Sequence, residues 1–342
     1  MTKPNSTILV ICGPTASGKT SLALSVAKQI ISNSSFRAKT RPMVPAGGNL
    51  TPPPPSVNIL SADSRQVYKD LDIVTGKDMP TDLSPNIKFF GLDLVDPDKI
   101  FNLSDFKDYA QKVINDSVKQ DISLIIVGGT GLYLKAITSD LLNVHVPANP
   151  SLRQELEKLD LPSLQSRLLA LNPQKYESLN HSDLHNPRRL IRAIEIASSP
   201  PIAPALSREG TGEGFMSPPT FQWIGLKQDK EVQKTKIHQR VLDRLDSGAI
   251  EEVENLMKKY PDYNLPIFTS LGVKEIVQYL KKDVSRDELI DHWTLSESDY
   301  ARRQMVWFKK QPGIVWYDKD KVNMVLIKSL SSKIQKCSRR NT

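Results

Sequence analysis

The chain has 342 residues, 39% hydrophobic and 25% charged, a balance that fits a globular protein and excludes a disordered one. No run approaches the roughly 18 consecutive apolar residues of a membrane-spanning helix, so no membrane association is expected. A formal net charge of +8 suits a polyanionic partner, because Lys and Arg gain affinity by releasing counterions from a phosphate backbone.

The first element is an apolar run, Ile8 to Cys12, with strand character. It feeds Gly13-Pro14-Thr15-Ala16-Ser17-Gly18-Lys19-Thr20, which meets the G-x-x-x-x-G-K-[ST] phosphate-loop pattern at every constrained position. Glycines at both ends let the backbone wrap with its N–H groups inward, an anion nest at a helix N-terminus. Lys19 adds a point charge for the outer phosphates and Thr20 a hydroxyl for Mg²⁺, so a di- or triphosphate ligand is expected. The segment from Ser21 to Ile30 continues with helical periodicity. A motif starting at residue 13 leaves no room ahead of it for a leader peptide, and Cys12 and Cys337 form neither a disulfide framework nor a metal site. The expected setting is the cytoplasm.

Residues 32–56 are polar and proline-rich, ending in Pro52-Pro53-Pro54-Pro55, and read as an extended surface insertion. A short apolar strand then ends in Ser61-Ala62-Asp63-Ser64-Arg65-Gln66. That places Asp63 at the sheet edge where open α/β folds carry ligands. A carboxylate there can hold Mg²⁺ through water or remove a proton from a nucleophile. With Gln66 three residues on, it also has the spacing of a capping box. Residues 72–77 and 93–97 read as polar loops around short apolar runs. A helix is predicted over 101–120, capped by Ser104, with Phe106, Tyr109, Val113 and Ile114 on one face. The next strand, Ser123 to Val127, ends in Gly128-Gly129-Thr130 where a nucleotide hydrolase would carry an acid for Mg²⁺. That departure argues against an ordinary ATPase.

Helical patterns around Leu152–Leu171 precede Asn186-Pro187-Arg188-Arg189-Leu190-Ile191-Arg192, where three arginines at helical spacing favour contact with phosphates. A loop is predicted from Ser198 to Pro219. One long helix is predicted over 229–260, with Arg240 and Arg244 on the same side. Another opens near Ser270-Leu271-Gly272-Val273. Tyr300 to Lys310 mixes bases with aromatics, as an RNA-binding face does or as a basic helix packing Met305, Trp307 and Phe308 inward does. The stretch after Val322 reads as a basic, polar tail.

These blocks, in this order, resemble the tRNA dimethylallyltransferases, the isopentenyltransferase family. The resemblance rests on 13–20, 61–69, 128–133, 186–192, 238–240, 271–275 and 301–304, nearly the whole chain. It implies an α/β fold like that of the phosphate-loop NTPases: a mostly parallel sheet flanked by helices, with an inserted α-helical tRNA-binding domain. The implied divisions are a first part of the catalytic core at 1–139, the insertion at 140–220, a helical return to the core at 221–320 and a basic tail at 321–342. The implied reaction moves the five-carbon group of dimethylallyl diphosphate to N6 of the adenine beside the anticodon in the tRNA anticodon stem-loop, with Mg²⁺ as cofactor and the protein a monomer. By that likeness residues 13–20 cradle the donor's diphosphate, Thr20 holds Mg²⁺, Asp63 takes the amine proton, Thr130 steadies the leaving oxygen, and Lys19 and Arg244 clamp the diphosphate. Asp63, Ser64, Arg65, Gln66, Thr130, Arg153, Arg188, Arg189, Leu190, Ile191 and Arg192 would line the tRNA. Val74 stands where bacterial members usually carry glycine, and Leu271-Gly272-Val273 replaces the usual Ile-Gly-Tyr. An adenylate acceptor or a small-molecule kinase activity are the alternative readings.

Overall fold

A computed structural model describes residues 6–39, 55–77, 80, 82–139, 141–200 and 218–336. The chain falls into two compact units, Met1–Thr138 with Phe215–Thr342, and Ser139–Gly214.

The first unit opens with β1 (Thr7–Cys12), α1 (Lys19–Lys39), β2 (Val57–Ser61), β3 (Ile87–Phe90), α2 (Leu103–Lys119), β4 (Ser123–Gly128) and α3 (Gly131–Thr138). In the second unit lie α4 (Pro150–Leu156), α5 (Leu161–Leu171), α6 (Pro173–Glu177), α7 (His181–Leu184) and α8 (Pro187–Ser198). The first unit resumes with β5 (Thr220–Lys227), α9 (Lys230–Asp246), α10 (Ala249–Lys259), α11 (Val273–Leu280), α12 (Arg286–Lys309), β6 (Val315–Asp318) and α13 (Met324–Lys336).

All six strands are parallel, in the order β3-β2-β4-β1-β5-β6, as the expected fold requires. Strand alternation divides the core. Leu9 and Ile11 face Leu22 and Val26 of α1 and Leu330 and Ile334 of α13. Ile8, Val10 and Cys12 face the opposite layer, which holds Phe106, Leu134, Trp293 and Phe308. With both faces covered, the central strands can be apolar throughout. Cys12 pairs in register with Gly128 and Gly225, and Ser61 with Val127. The carboxyl ends of β1, β2 and β4 therefore stand level, and the phosphate loop, Asp63 and Gly129-Thr130 leave the sheet at one edge.

Several expectations need correction. α2 is capped by Asn102 rather than Ser104: its side chain accepts from the N–H groups of Ser104 and Asp105, and Asp105 reaches back to the Asn102 N–H. α1 continues to Lys39, past the predicted start of the loop at 32, with Ser32 Oγ bonded to the Lys28 carbonyl. Residues 40–54 of that insertion lie outside the described residues, as do 201–217 of the predicted loop before β5. The single helix expected over 229–260 is two, because Gly248, at φ +100°, breaks it between α9 and α10. The supposed helical return at 221–320 contains β5 and β6, which extend the sheet, and the supposed tail holds α13, whose Leu330 and Ile334 are buried.

The second unit is helical, with Leu156, Leu164, Leu168, Leu190, Ile191 and Ile194 as its core. Its helices are short because the sequence restarts them repeatedly. Asn149, Asp160, Asn172, Asn180 and Asn186 each accept a backbone N–H at a helix start, and α4, α6 and α8 begin with proline. The periodicity over Leu152–Leu171 is accordingly split between α4 and α5.

Candidate active site

Lys19 and Thr20 open α1, directly after the loop of residues 13–18. The Lys19 ammonium donates to the Pro14 carbonyl at 2.6 Å. Burial and the neighbouring Arg240 guanidinium lower its pKa to about 8. Side chains from distant segments hold the loop. Gln228 Nε2 donates to Ala16 O at 3.1 Å, and Gln233 Nε2 to Thr15 O at 3.0 Å. Arg240 reaches Thr15 Oγ1 at 3.3 Å, and the Thr15 N–H donates to Gln304 Oε1 at 2.8 Å.

Asp63 follows β2 by two residues, and its Oδ1 accepts the Arg65 N–H at 2.9 Å, closing a turn. No helix starts here, so the capping-box alternative falls away. Gln66 instead bonds Ser61 Oγ and the Gly76 carbonyl, both at 2.9 Å. Asp63, Lys19, Thr20, Arg240 and Arg244 share a cavity of about 340 Å³, whose wall also includes Tyr300, Arg303 and Gln304 of α12. The cavity lining carries five cationic side chains, those of Lys19, Arg65, Arg240, Arg244 and Arg303, against two carboxylates, Asp63 and Glu297. Such a field favours an anionic ligand.

Thr130 stands beside this wall. Its hydroxyl accepts the Ser64 N–H at 3.1 Å and shares a hydrogen bond with the Tyr300 phenol. Burial and the nearby Asp63 carboxylate push that phenol up to about 12, so it stays protonated. Arg244 is buried on α9, with its NH1 donating to Glu297 at 3.1 Å and its guanidinium over the Trp293 ring at 5.8 Å. Both Arg240 and Arg244 lie against Gly76, whose bare Cα leaves room for them.

Gly76 belongs to a turn fixed from behind. Glu252 of α10 accepts the N–H groups of Asp72, Ile73 and Val74 at 2.6, 2.9 and 2.8 Å. The Lys77 side chain, 3% exposed, is tied to Asp72, Asp93 and the Tyr68 carbonyl. These residues read as loops in the sequence, which gave no sign of a buried lysine. The two departures from the family pattern are neighbours here, since Val74 packs against Gly272 and, with Leu271, forms part of the wall.

Of the candidates in this unit, Thr15, Lys19, Thr20, Asp63, Ser64, Arg65, Gln66 and Arg244 line the one cavity, while Gly13, Pro14, Ala16, Ser17 and Gly18 complete the loop beside it. Arg240, Glu297, Tyr300, Arg303 and Gln304 were not expected there. For Arg240 the signal was its place four residues before Arg244, on the same helix face.

In the second unit Glu195, 1% exposed, organises the arginines. It takes a two-bond fork from Arg153, at 2.8 and 2.8 Å, plus the Asn149 N–H at 2.8 Å and Arg192 at 3.2 Å. Burial alone would raise its pKa, but these donors outweigh it and hold the carboxyl below its ordinary range. Arg192 also donates to the Val146 carbonyl at 2.7 Å, and Arg189 pairs with Asp183. Leu190 and Ile191 are core residues, which corrects the expectation that their side chains line the tRNA. Arg188 is exposed, and the Arg189 side chain is more than half exposed.

The family model described as IPP transferase matches residues 66–311. A tRNA dimethylallyltransferase of Halothermothrix orenii is 31% identical over 342 residues, covering 98% of this chain and 93% of its own. One of Synechococcus elongatus is 30% identical over 317 residues, covering 92% of each. Among solved structures, a tRNA isopentenylpyrophosphate transferase of Bacillus halodurans superposes with a TM-score of 0.64 at 26% identity, covering 97% of both chains.

Proposed function

The chain belongs to the IPP transferase family, and from that premise we propose that it is a tRNA dimethylallyltransferase, moving the dimethylallyl group of dimethylallyl diphosphate to N6 of the adenine 3′-adjacent to the anticodon. The observation that carries this reading is the cationic cavity in which a phosphate loop faces a carboxylate at the next strand's end.

In the reaction, the C1–O bond of the donor breaks and a bond from N6 to C1 forms. The diphosphate leaves with the electron pair, and the proton shed by N6 passes to Asp63. A positioned base of this kind is worth roughly 10²–10⁴-fold. The charge that grows on the leaving diphosphate meets the cations gathered in the cavity wall, Lys19, Arg240 and Arg244, and the backbone of the loop beside them. Glu297 and Trp293 hold Arg244 in that position. Tyr300 and Ser64 fix the Thr130 hydroxyl at the cavity's edge.

Mg²⁺ takes hard oxygen ligands and usually keeps waters alongside one or two protein groups and substrate phosphates. The Thr20 hydroxyl and Asp63 carboxylate in the wall fit that donor set, and no cluster of three His, Cys, Asp or Glu occurs among the described residues. Bound there, Mg²⁺ would neutralise charge on the diphosphate. In the second unit, Arg188 and Arg189 offer guanidinium groups to the phosphates of the anticodon stem-loop, while Arg153 and Arg192 keep their helices in place through Glu195. We place the protein in the cytoplasm, as a monomer; no described helix is long and apolar enough to cross a membrane.

The test is incubation with labelled dimethylallyl diphosphate and Mg²⁺, offering unmodified tRNA and AMP in parallel. Label in tRNA, lost at least a hundredfold in Asp63→Ala, is the expected outcome. Label in AMP alone would replace the acceptor, and label in neither would overturn the reading.

A further inference from the structure

α12 touches both walls of the cavity, and does so through one buried amide. Gln304 is 6% exposed. Its Oε1 accepts the N–H of Thr15 in the phosphate loop at 2.8 Å, and its Nε2 donates to the carbonyl of Gly129, in the turn after β4, at 3.0 Å. Thr15 and Gly129 are 114 residues apart in the chain and sit on loops leaving neighbouring strands. One partner is a backbone donor and the other a backbone acceptor. A side chain serving both at once needs a carbonyl and an N–H₂ on the same carbon, which an amide has and a carboxylate lacks. Gly129 is bare where it meets this amide, and a Cβ there would overlap Nε2. One helical turn earlier, Tyr300 bonds Thr130, the residue after Gly129.

We infer that Gln304 is a positioning residue for the transfer reaction, a cross-brace that sets the distance between the phosphate loop holding the donor and the Gly128–Thr130 turn beside the attacking amine. The inference rests on the function proposed above. The two bonds of the brace go to protein backbone, which makes it a support of the loops rather than a ligand of the diphosphate. It acts on the alignment of C1 with the incoming nitrogen, and misalignment by about 1 Å in such a site costs on the order of a hundredfold in rate.

Gln304→Ala should therefore fold, keep its dissociation constant for inorganic diphosphate and its KM for dimethylallyl diphosphate within threefold of the wild type, and lose at least tenfold in kcat. Gly129→Ala, which displaces the amide, should lose kcat to a similar extent. Because both changes remove the same brace, the double variant should fall no more than threefold below either single one, a failure of additivity that unrelated structural damage would not show. If Gln304→Ala does not fold, Gln304→Met, of similar length, uncharged and unable to bond either backbone partner, is measured instead and should show the same kcat loss with diphosphate binding retained. An unchanged kcat in a folded variant overturns the inference, and so does a loss of diphosphate affinity, which would make Gln304 a ligand. The wild type run alongside separates the two claims: if it transfers nothing to tRNA, the proposed function fails, whereas equal transfer by wild type and Gln304→Ala sinks only the brace.

Discussion

Lys19 donates to the Pro14 carbonyl while burial and Arg240 lower its pKa to about 8. Below that pH its ammonium is charged and attracts an anion; above it the charge is lost. A bound diphosphate favours the charged form, so its affinity should be full below about pH 8 and weaken toward tenfold per pH unit above it. Calorimetric titration with inorganic diphosphate between pH 6.5 and 9.5 checks this, with Lys19→Met as the reference for the ligand's own protonation. Equal slopes in the two proteins would remove Lys19 from the linkage. At this scale the sequence was informative where the constraint is local. Residues 13–20 must be contiguous to wrap a phosphate, so they form a readable motif. Glu297 and Gln304 reach the cavity from a helix far along the chain, where nothing in their own neighbourhoods marks that destination, and Arg240 is marked only by its spacing from Arg244.

Helix boundaries follow cap chemistry more closely than they follow apolar periodicity. In α2 the periodicity alone suggested Ser104 as the cap, but Asn102 satisfies two N–H groups and Asp105 returns the bond. Asn102→Ala should therefore cost about 1 kcal/mol in chemical denaturation, whereas Ser104→Ala should cost less than half of that. If the two cost the same, the cap assignment is wrong. The same competition explains the break at Gly248, since a continuous 3.6-residue pattern runs through a residue that sits at positive φ. β6 and α13 escaped for other reasons. A four-residue edge strand carries too little alternation to register, and α13 hides Leu330 and Ile334 among serines and lysines.

Across the whole molecule, the proposed function divides catalysis and tRNA contact between the two units, and Glu195 offers a way to test that division. Removing Glu195 leaves the Arg153 fork and Arg192, both partly exposed, without their shared carboxylate, and a hydrogen bond to a charged group contributes roughly 1.5–3 kcal/mol. Glu195→Ala should open residues 141–200 to limited proteolysis and reduce transfer to tRNA, with inorganic diphosphate binding unchanged. Reduced diphosphate binding would contradict that division. The first unit is also discontinuous in the chain. β1 pairs with β5, Thr7 beside Thr220, and the loop it feeds is held by Gln228, Gln233, Arg240 and Gln304. On a ribosome adding about 5–20 residues per second, roughly 10–40 s pass between the emergence of the motif and that of its first supporting side chains. A nascent or prematurely released chain therefore carries the whole motif with these supports missing, and the loop is held in place only late in synthesis, when the final third of the polypeptide closes around its beginning.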